Sequence, residues 1–417
     1  MMKKEQIASN VELIVLPNDK FKRNRISISF IVPNDRKKAT YFALLPSLME
    51  RAYEDYPDMR LLSQKLSRMY GASLSASTGV IGQNRSLRFT IQGIKDEYCI
   101  DSNSLLTQMC EVLLGIIFKP CVKNGVFLKE WLEVEKVKLR EEIEGEINDK
   151  RSYCIKSAQR KFFGDSLNGV EKLGYLEEID GVTPTELFEC YKEVRDNSVV
   201  NIFVTAENPE SIKPQFIKAF SKREKGSAAI LPPQIMPSVP TETFEEKIDI
   251  VQSKVCLIYT TNRLLTEKER YQMLVATSIL GGTPSSRLFK NVREKQSLCY
   301  YCAAGFNGFT SSMKIDSGVE HQNMQKAIDA INWEIQQLIE GKIEDKEISE
   351  TKLTIVSSLK NIYDGLHGLE AWYLNENIRG TDFTPEKVIQ LVNEVNEKEI
   401  KAVLKLFNLN IIYKLTK

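Results

Sequence analysis

Arg293 and Tyr300 bracket the segment Arg293-Glu-Lys295-Gln-Ser-Leu298-Cys-Tyr300. Both side chains donate hydrogen bonds and keep their protons near neutral pH. Donors of this kind stabilise the negative charge that develops on a carbonyl oxygen during acyl transfer. Taken alone, the plainer reading is a solvated helix arginine and a strand-packing tyrosine. The same run contains Cys299-Tyr-Tyr-Cys302. A C-x-x-C invites redox or metal chemistry, but on a strand positions i and i+3 point to opposite faces, and no second C-x-x-C completes a zinc site. The chain holds two histidines, His321 and His367, 46 residues apart, so a helical i, i+4 histidine pair is excluded. Glu141 and Glu142 belong to a charged run with Glu133, Glu135, Lys136, Lys138, Glu144 and Glu146, for which a solvated helix face is the expectation.

The elements that would position Arg293 and Tyr300 are legible. Gly281-Gly-Thr-Pro284 makes a tight turn, Ser285 and Ser286 offer an N-cap, and Leu288, Phe289 and Val292 fall on one helical face. Beyond Ser297 the period changes to two, with Leu298, Tyr300 and Cys302 alternating as in a strand. A short helix therefore hands over to a strand. Arg287 reads as a structural residue at the helix start.

The signature Arg293-x-Lys295-x-x-Leu298-x-Tyr300, with its lead-in Gly281-Gly-x-Pro-Ser-Ser-Arg-Leu-Phe289, resembles the C-terminal half of insulinase/pitrilysin-type peptidases, which include the mitochondrial processing peptidase. Catalytic members carry an inverted zinc motif, H-x-x-E-H, on the first helix of the N-terminal half. Here the matching helix reads Tyr41-Phe-Ala43-Leu-Leu-Pro46-Ser47-Leu-Met-Glu50-Arg51. Ligand and base positions fall near Ala43, Pro46 and Ser47, or one residue on at Leu44, Ser47 and Leu48. Neither register holds a histidine or a glutamate. The acidic run at Glu141 and Glu142 lies where the third ligand belongs, and one carboxylate does not hold zinc. Some members split the work between two chains, one with the zinc helix and one with the Arg/Tyr pair. The resemblance therefore implies a zinc-less subunit that holds no cofactor itself. Its expected partner is a zinc-motif homologous peptidase subunit, which would hold the Zn, and Arg293 and Tyr300 would reach that partner's site and contact peptide substrate there.

Length and composition agree with such a subunit. A chain of 417 residues suits two domains of about 200 residues each. A net charge of +1 gives no electrostatic footprint for nucleic acid. The N-terminal MMKKEQIASN lacks an apolar run behind its lysines, and no stretch approaches the roughly 18 apolar residues of a membrane span. Eight cysteines are too sparse for a disulfide scaffold, so reduced thiols and a cytoplasmic location are expected.

Along the chain, strands are predicted at 11–16, 26–32, 72–78, 85–93 and 199–205, with helices at 40–51, 59–69, 104–118, 125–147 and 184–195. Gly71 reads as the glycine that ends the second helix. Prolines 232, 233, 237 and 240 mark a linker. Strands then recur at 248–260, 298–303, 313–319 and 410–415, with helices at 267–280, 286–295, 324–338, 348–363 and 397–407. Met324, Ile328, Ile331, Ile335 and Leu338 step by four and three, as an amphipathic helix does. Matching elements lie about 227 residues apart early in the halves and about 210 late, which suggests a duplicated domain. The expected organisation is α+β: domain 1–225 without the zinc motif, a Pro-rich linker at 226–245, and domain 246–417 with the Arg/Tyr motif. Each domain is expected to be an antiparallel-rich sheet with helices packed on one face. The competing reading is a homodimeric peptide-binding or structural module with no part in catalysis.

Overall fold

A computed structural model describes residues 2–16, 20–100, 103–221, 223, 226 and 228–417. The expected boundary at 225/226 lies partly outside the described residues. In chain order the first elements are β1 (Lys3–Ala8), β2 (Val11–Leu16), β3 (Arg23–Pro33), α1 (Ala39–Glu50), α2 (Met59–Arg68), β4 (Ser73–Ile81), β5 (Asn84–Ile94) and α3 (Leu105–Phe118). A short ribbon of β6 (Val122–Lys123) and β7 (Val126–Phe127) leads to α4 (Lys129–Gly145), α5 (Lys150–Phe163), α6 (Pro184–Asn197), β8 (Val199–Thr205) and α7 (Lys213–Phe220). After an irregular stretch come β9 (Glu242–Lys247), β10 (Ser253–Thr260), α8 (Glu267–Thr277), β11 (Cys299–Asn307) and β12 (Ser312–Val319). The chain closes with α9 (Met324–Glu340), α10 (Asp345–Asn361), α11 (Leu366–Arg379), α12 (Pro385–Glu394), α13 (Glu397–Leu404) and β13 (Asn408–Thr416).

Two compact units result. The first holds residues 1–144, 170–231 and 366–378, and the second 145–169, 232–365 and 379–417. In the first, the strand order is β1-β2-β8-β3-β5-β4, antiparallel except for β2 beside β8. Alternation sends Ile26, Ile28 and Phe30 of β3 and Leu87, Phe89 and Ile91 of β5 to one face. There they meet Phe42, Leu45 and Met49 of α1 and Met109, Leu113 and Ile116 of α3. Pro46 sits inside α1 without ending it. In the second unit the order is β11-β12-β10-β13-β9, and its one parallel pair is β13 with β9. Read from β4 inward, the first sheet repeats this order strand for strand, with β1 as an extra edge. Ser253 of β10 follows Arg23 of β3 by 230 residues, and Asn408 of β13 follows Val199 of β8 by 209.

The other face of each sheet also carries a helix. In the first unit that face presents Arg25, Ser27 and Arg88, and α11 lies over it. Glu370 of α11 is 1% exposed and accepts from Arg25 Nε at 2.7 Å and from the Ser27 hydroxyl, with Arg88 Nη1 at 3.3 Å. Asn377 of the same helix donates to Glu12 at 3.1 Å and Asn201 at 2.9 Å. In the second unit α5 packs Cys154, Ala158 and Phe162 against Cys256, Ile258, Ile411 and Tyr413. Its Arg151 donates to buried Asp316 at 2.6 Å and lies 4.3 Å from the Tyr301 ring centroid.

Several elements escape the periodicity. Strands β1 and β9 are charged edge strands held mainly by main-chain pairing, so they show no clean alternation. Helices α5 and α11 bury polar and charged groups as well as apolar ones, including Ser157, Glu370 and Glu376, which blurs their apolar stripes. The expected helix 125–147 begins instead at Lys129, behind the β6–β7 ribbon.

Removing Glu370 leaves two arginines on a covered face with no counter-charge, and breaking a buried pair from one side costs about 3 kcal/mol or more. Glu370→Ala is expected to lower unfolding stability in urea by about 3 kcal/mol. A loss below about 1 kcal/mol would show that water compensates the arginines.

Candidate functional site

Thr266 and Glu269 form a reciprocal capping box that starts α8, with Arg263 gripping Glu269 at 2.6 and 2.7 Å. The guanidinium pulls the Glu269 carboxyl down to about 2. The α8 chain continues as a π-helical turn, Ser278–Gly282. A Cβ on Gly281 would stand 2.6 Å from the Ala304 main-chain nitrogen, so only glycine lets this turn lie against β11. The next helix, Leu288–Lys295, is also π-helical, and it buries Leu288 and Val292. Arg287 is nearly buried and binds both carboxylate oxygens of Glu347 and the Lys342 carbonyl, so it is a structural residue.

Ser297 takes a left-handed φ of 52°, and Gln296 N and Leu298 N bond back to Asn291 O and Val292 O at 3.2 and 3.1 Å. That turn delivers the chain into β11, at the edge of its sheet. Arg293 is exposed and lies 4.6 Å from the Phe289 ring centroid. Tyr300 is 57% exposed, and its hydroxyl reaches Glu320 at 3.4 Å. The register explains its exposure. Cys299 pairs with Val319 and Tyr301 with Gly318, so Tyr300 is the extra residue of a β-bulge.

The bulge overturns the expectation for the cysteines. Cys299 and Cys302 face Val319 and Ser317, two positions apart on β12, so both thiols share one face and hydrogen-bond to each other. The Cys299 thiol is drawn below its ordinary value by the Cys302 bond, the Ser317 hydroxyl and the Arg293 charge. Cys302 is pushed the other way, first by that same bond and then by burial. Arg293 is thus near enough to act on the residue beside Tyr300.

The first unit holds a separate cleft of about 470 Å³, lined by Ala43, Pro46 and Ser47 of α1 together with Glu135 and Glu142 of α4. It gathers the positions that the family resemblance assigns to the zinc ligands and base, but the side chains do not fit zinc. Imidazoles are missing at Ala43 and Ser47, and Glu135 is engaged by Arg51 at 2.6 Å and Lys138 at 2.9 Å. Glu50 accepts from Ala76 N at 2.7 Å, and burial pushes its carboxyl above the ordinary value. Among the described residues no three ligating side chains converge. Glu135 and Lys136, expected on a solvated face, are buried. Their spacing from Leu132 and Leu139 places them on the buried stripe of α4, a signal the run of charges concealed.

The geometry comprises two repeated α+β units, a cleft without zinc ligands, and an exposed Arg293 on a short helix that hands over to Tyr300 on an edge strand. Residues 181–355 match the family described as the peptidase M16 inactive domain. A Bacillus subtilis protein named probable inactive metalloprotease YmfF is 24% identical over 388 residues, 93% of this chain and 91% of that protein. The crystal structure of a conserved protein from Enterococcus faecalis V583 superposes with a TM-score of 0.91 at 29% identity, over 100% of this chain and 98% of that one. A peptidase M16 inactive domain from Pseudomonas fluorescens has the same fold, with a TM-score of 0.79 at 13% identity and coverage of 100% and 98%. Residues 181–355 therefore resemble an inactive M16-type peptidase domain, and the chain has no H-x-x-E-H motif. No helix of the described residues is long and apolar enough to cross a membrane.

The raised carboxyl of Glu50 has a consequence for stability. Its folded-state pKa exceeds the unfolded one, so the folded chain retains a proton that the unfolded chain releases. Stability from this group is complete below the unfolded pKa and is lost as pH rises through the folded one. Glu50→Gln keeps an acceptor for Ala76 N and removes the titration. Relative to the variant, the parent's denaturation midpoint is expected to fall as pH climbs above the ordinary glutamate range; parallel midpoints from pH 4 to 7 would contradict this.

Proposed function

We propose that this chain is a non-catalytic cytoplasmic subunit of a heteromeric insulinase/pitrilysin-like zinc peptidase. In this reading its partner is a homologue that keeps the zinc motif and holds the metal. The chain contributes Arg293 and Tyr300 to peptide binding and proteolysis in the partner's site. The observation that carries the reading is the exposure of both donors at one junction, Arg293 at the end of the π-helical segment and Tyr300 on the bulged edge strand that follows it, with Gly281, Arg287 and Ser297 fixing the turn between their elements. A hydroxyl held only by an exposed glutamate at 3.4 Å is available to a substrate carbonyl. The Arg293 guanidinium, resting on Phe289, offers a second set of donors from a stacked position. Both would strengthen their bonds as charge grows on the carbonyl oxygen.

A second reading, a homodimeric peptide-binding module, is favoured by the cleft beside β4, an edge strand that could accept an extended peptide. Gel filtration of the chain alone and with a zinc-motif homologue separates the two. Co-elution and chelator-sensitive cleavage only on mixing are expected; a self-dimer that binds peptide and gains no activity on mixing favours the module.

Two outcomes test the first reading. After dialysis the purified chain alone is expected to hold much less than one zinc per molecule and to leave peptides intact; one tightly bound zinc with chelator-sensitive cleavage refutes it. In the reconstituted pair, Tyr300→Phe is expected to slow turnover about a hundredfold, the usual loss for one preorganised donor, while assembly persists. A variant complex that cleaves at the parent rate removes the hydroxyl from the reaction.

A further inference from the structure

The bulge at Tyr300 brings together two thiols that a regular strand would separate. Same-face neighbours on a strand have Cα atoms roughly 6.6 Å apart, at the upper edge of what a disulfide spans, and closure requires the bulge to bend until the Cβ atoms come within about 4.5 Å. Cys299 and Cys302 occupy such positions, are hydrogen-bonded to one another and are both reduced. We propose that Cys299 and Cys302 are a thiol–disulfide exchange site that reacts with small-molecule disulfides and closes to an intrachain bond. This inference is independent of the proposed peptidase role.

The roles divide by surroundings. Arg293 and Ser317 flank Cys299 and favour its thiolate, whereas Cys302 donates to it and stays protonated. The Cys299 thiolate attacks one sulfur of the small disulfide RSSR, forming Cys299–S–S–R and releasing one RS⁻. Cys302 then loses its proton and attacks the Cys299 sulfur. The protein disulfide forms, the mixed disulfide breaks, and the second RS⁻ leaves. The dithiol gives up two electrons, RSSR takes them, and the two protein protons end on two RSH. Strand β11 is outermost in its sheet, so only one neighbouring strand, β12, holds the bulge in place. The remaining cysteines lack this arrangement. Cys121 is more exposed, but burial of its thiol pushes it up to about 11, and Cys110, Cys154, Cys190 and Cys256 are buried and likewise raised.

The test treats the native full chain with oxidised glutathione at neutral pH, alkylates the thiols that remain, and maps them by peptide mass. Cys299 and Cys302 are expected to lose both alkylation sites together, about tenfold faster than Cys121 becomes thiolated. Cys302→Ser is expected to stop at a glutathione adduct on Cys299, and Cys299→Ser to form no bridge. The parent measurement decides the matter even if a variant misfolds. Both cysteines alkylating fully once Cys121 has reacted, or a lasting adduct on Cys299 with Cys302 free, overturns the proposal.

Discussion

The buried carboxylate of Glu370 is the contact on which much of the first unit depends. Apolar side chains from β3 and β5 fill one face of its sheet, but the opposite face carries Arg25, Ser27 and Arg88. Such a face cannot be covered by an ordinary apolar helix without stranding guanidinium groups. Helix α11 brings the one negative charge that bonds two arginines and a serine at once, and it comes from more than 340 residues downstream of Arg25. The second unit solves the same problem with the signs reversed, placing Arg151 of α5 on Asp316. Ion pairs of this kind add little net stability over apolar packing, yet they penalise every other docking position. Glu370 in one unit and Arg151 in the other thereby favour one helix register over its neighbours.

This dependence separates what the sequence made legible from what it hid. Central strands such as β3, β5 and β10 are apolar and alternate, and α9 repeats by threes and fours, so their residues state their own conformation. Edge strands β1 and β9 bury little, so their composition records charge more than alternation. Helices α5 and α11 are defined by a distant sheet face, and a carboxylate inside a helical pattern looks like surface until its arginines are located. Glu135 illustrates the same failure on α4, where a charge-rich stretch passed for solvated although its spacing from Leu132 and Leu139 pointed inward.

The candidate sites divide in the same way. The missing histidines at Ala43 and Ser47 and the Arg293–Tyr300 spacing are properties of letters and need no coordinates. That Ala43 and Ser47 share a cleft with Glu142, or that Arg51 and Lys138 occupy Glu135, follows only from how α1 and α4 pack. Nor could the C-x-x-C be judged from alternation, because one unpaired residue reverses the parity on which that judgement rested.

Between Leu288 and Lys295 each helical hydrogen bond spans one residue more than in an α-helix, and the strand that follows holds one residue more than a regular one. Counting, as much as chemistry, therefore sets which way its side chains look. Deleting Tyr300 would leave every rung of the β11–β12 ladder in place, with Cys299 still opposite Val319, and would remove the one residue that the ladder does not hold. Exchanging a residue there alters one side chain, whereas removing or adding one at a paired position moves its neighbours to the other face of the sheet. This part of the chain is free to vary in spelling and bound in length.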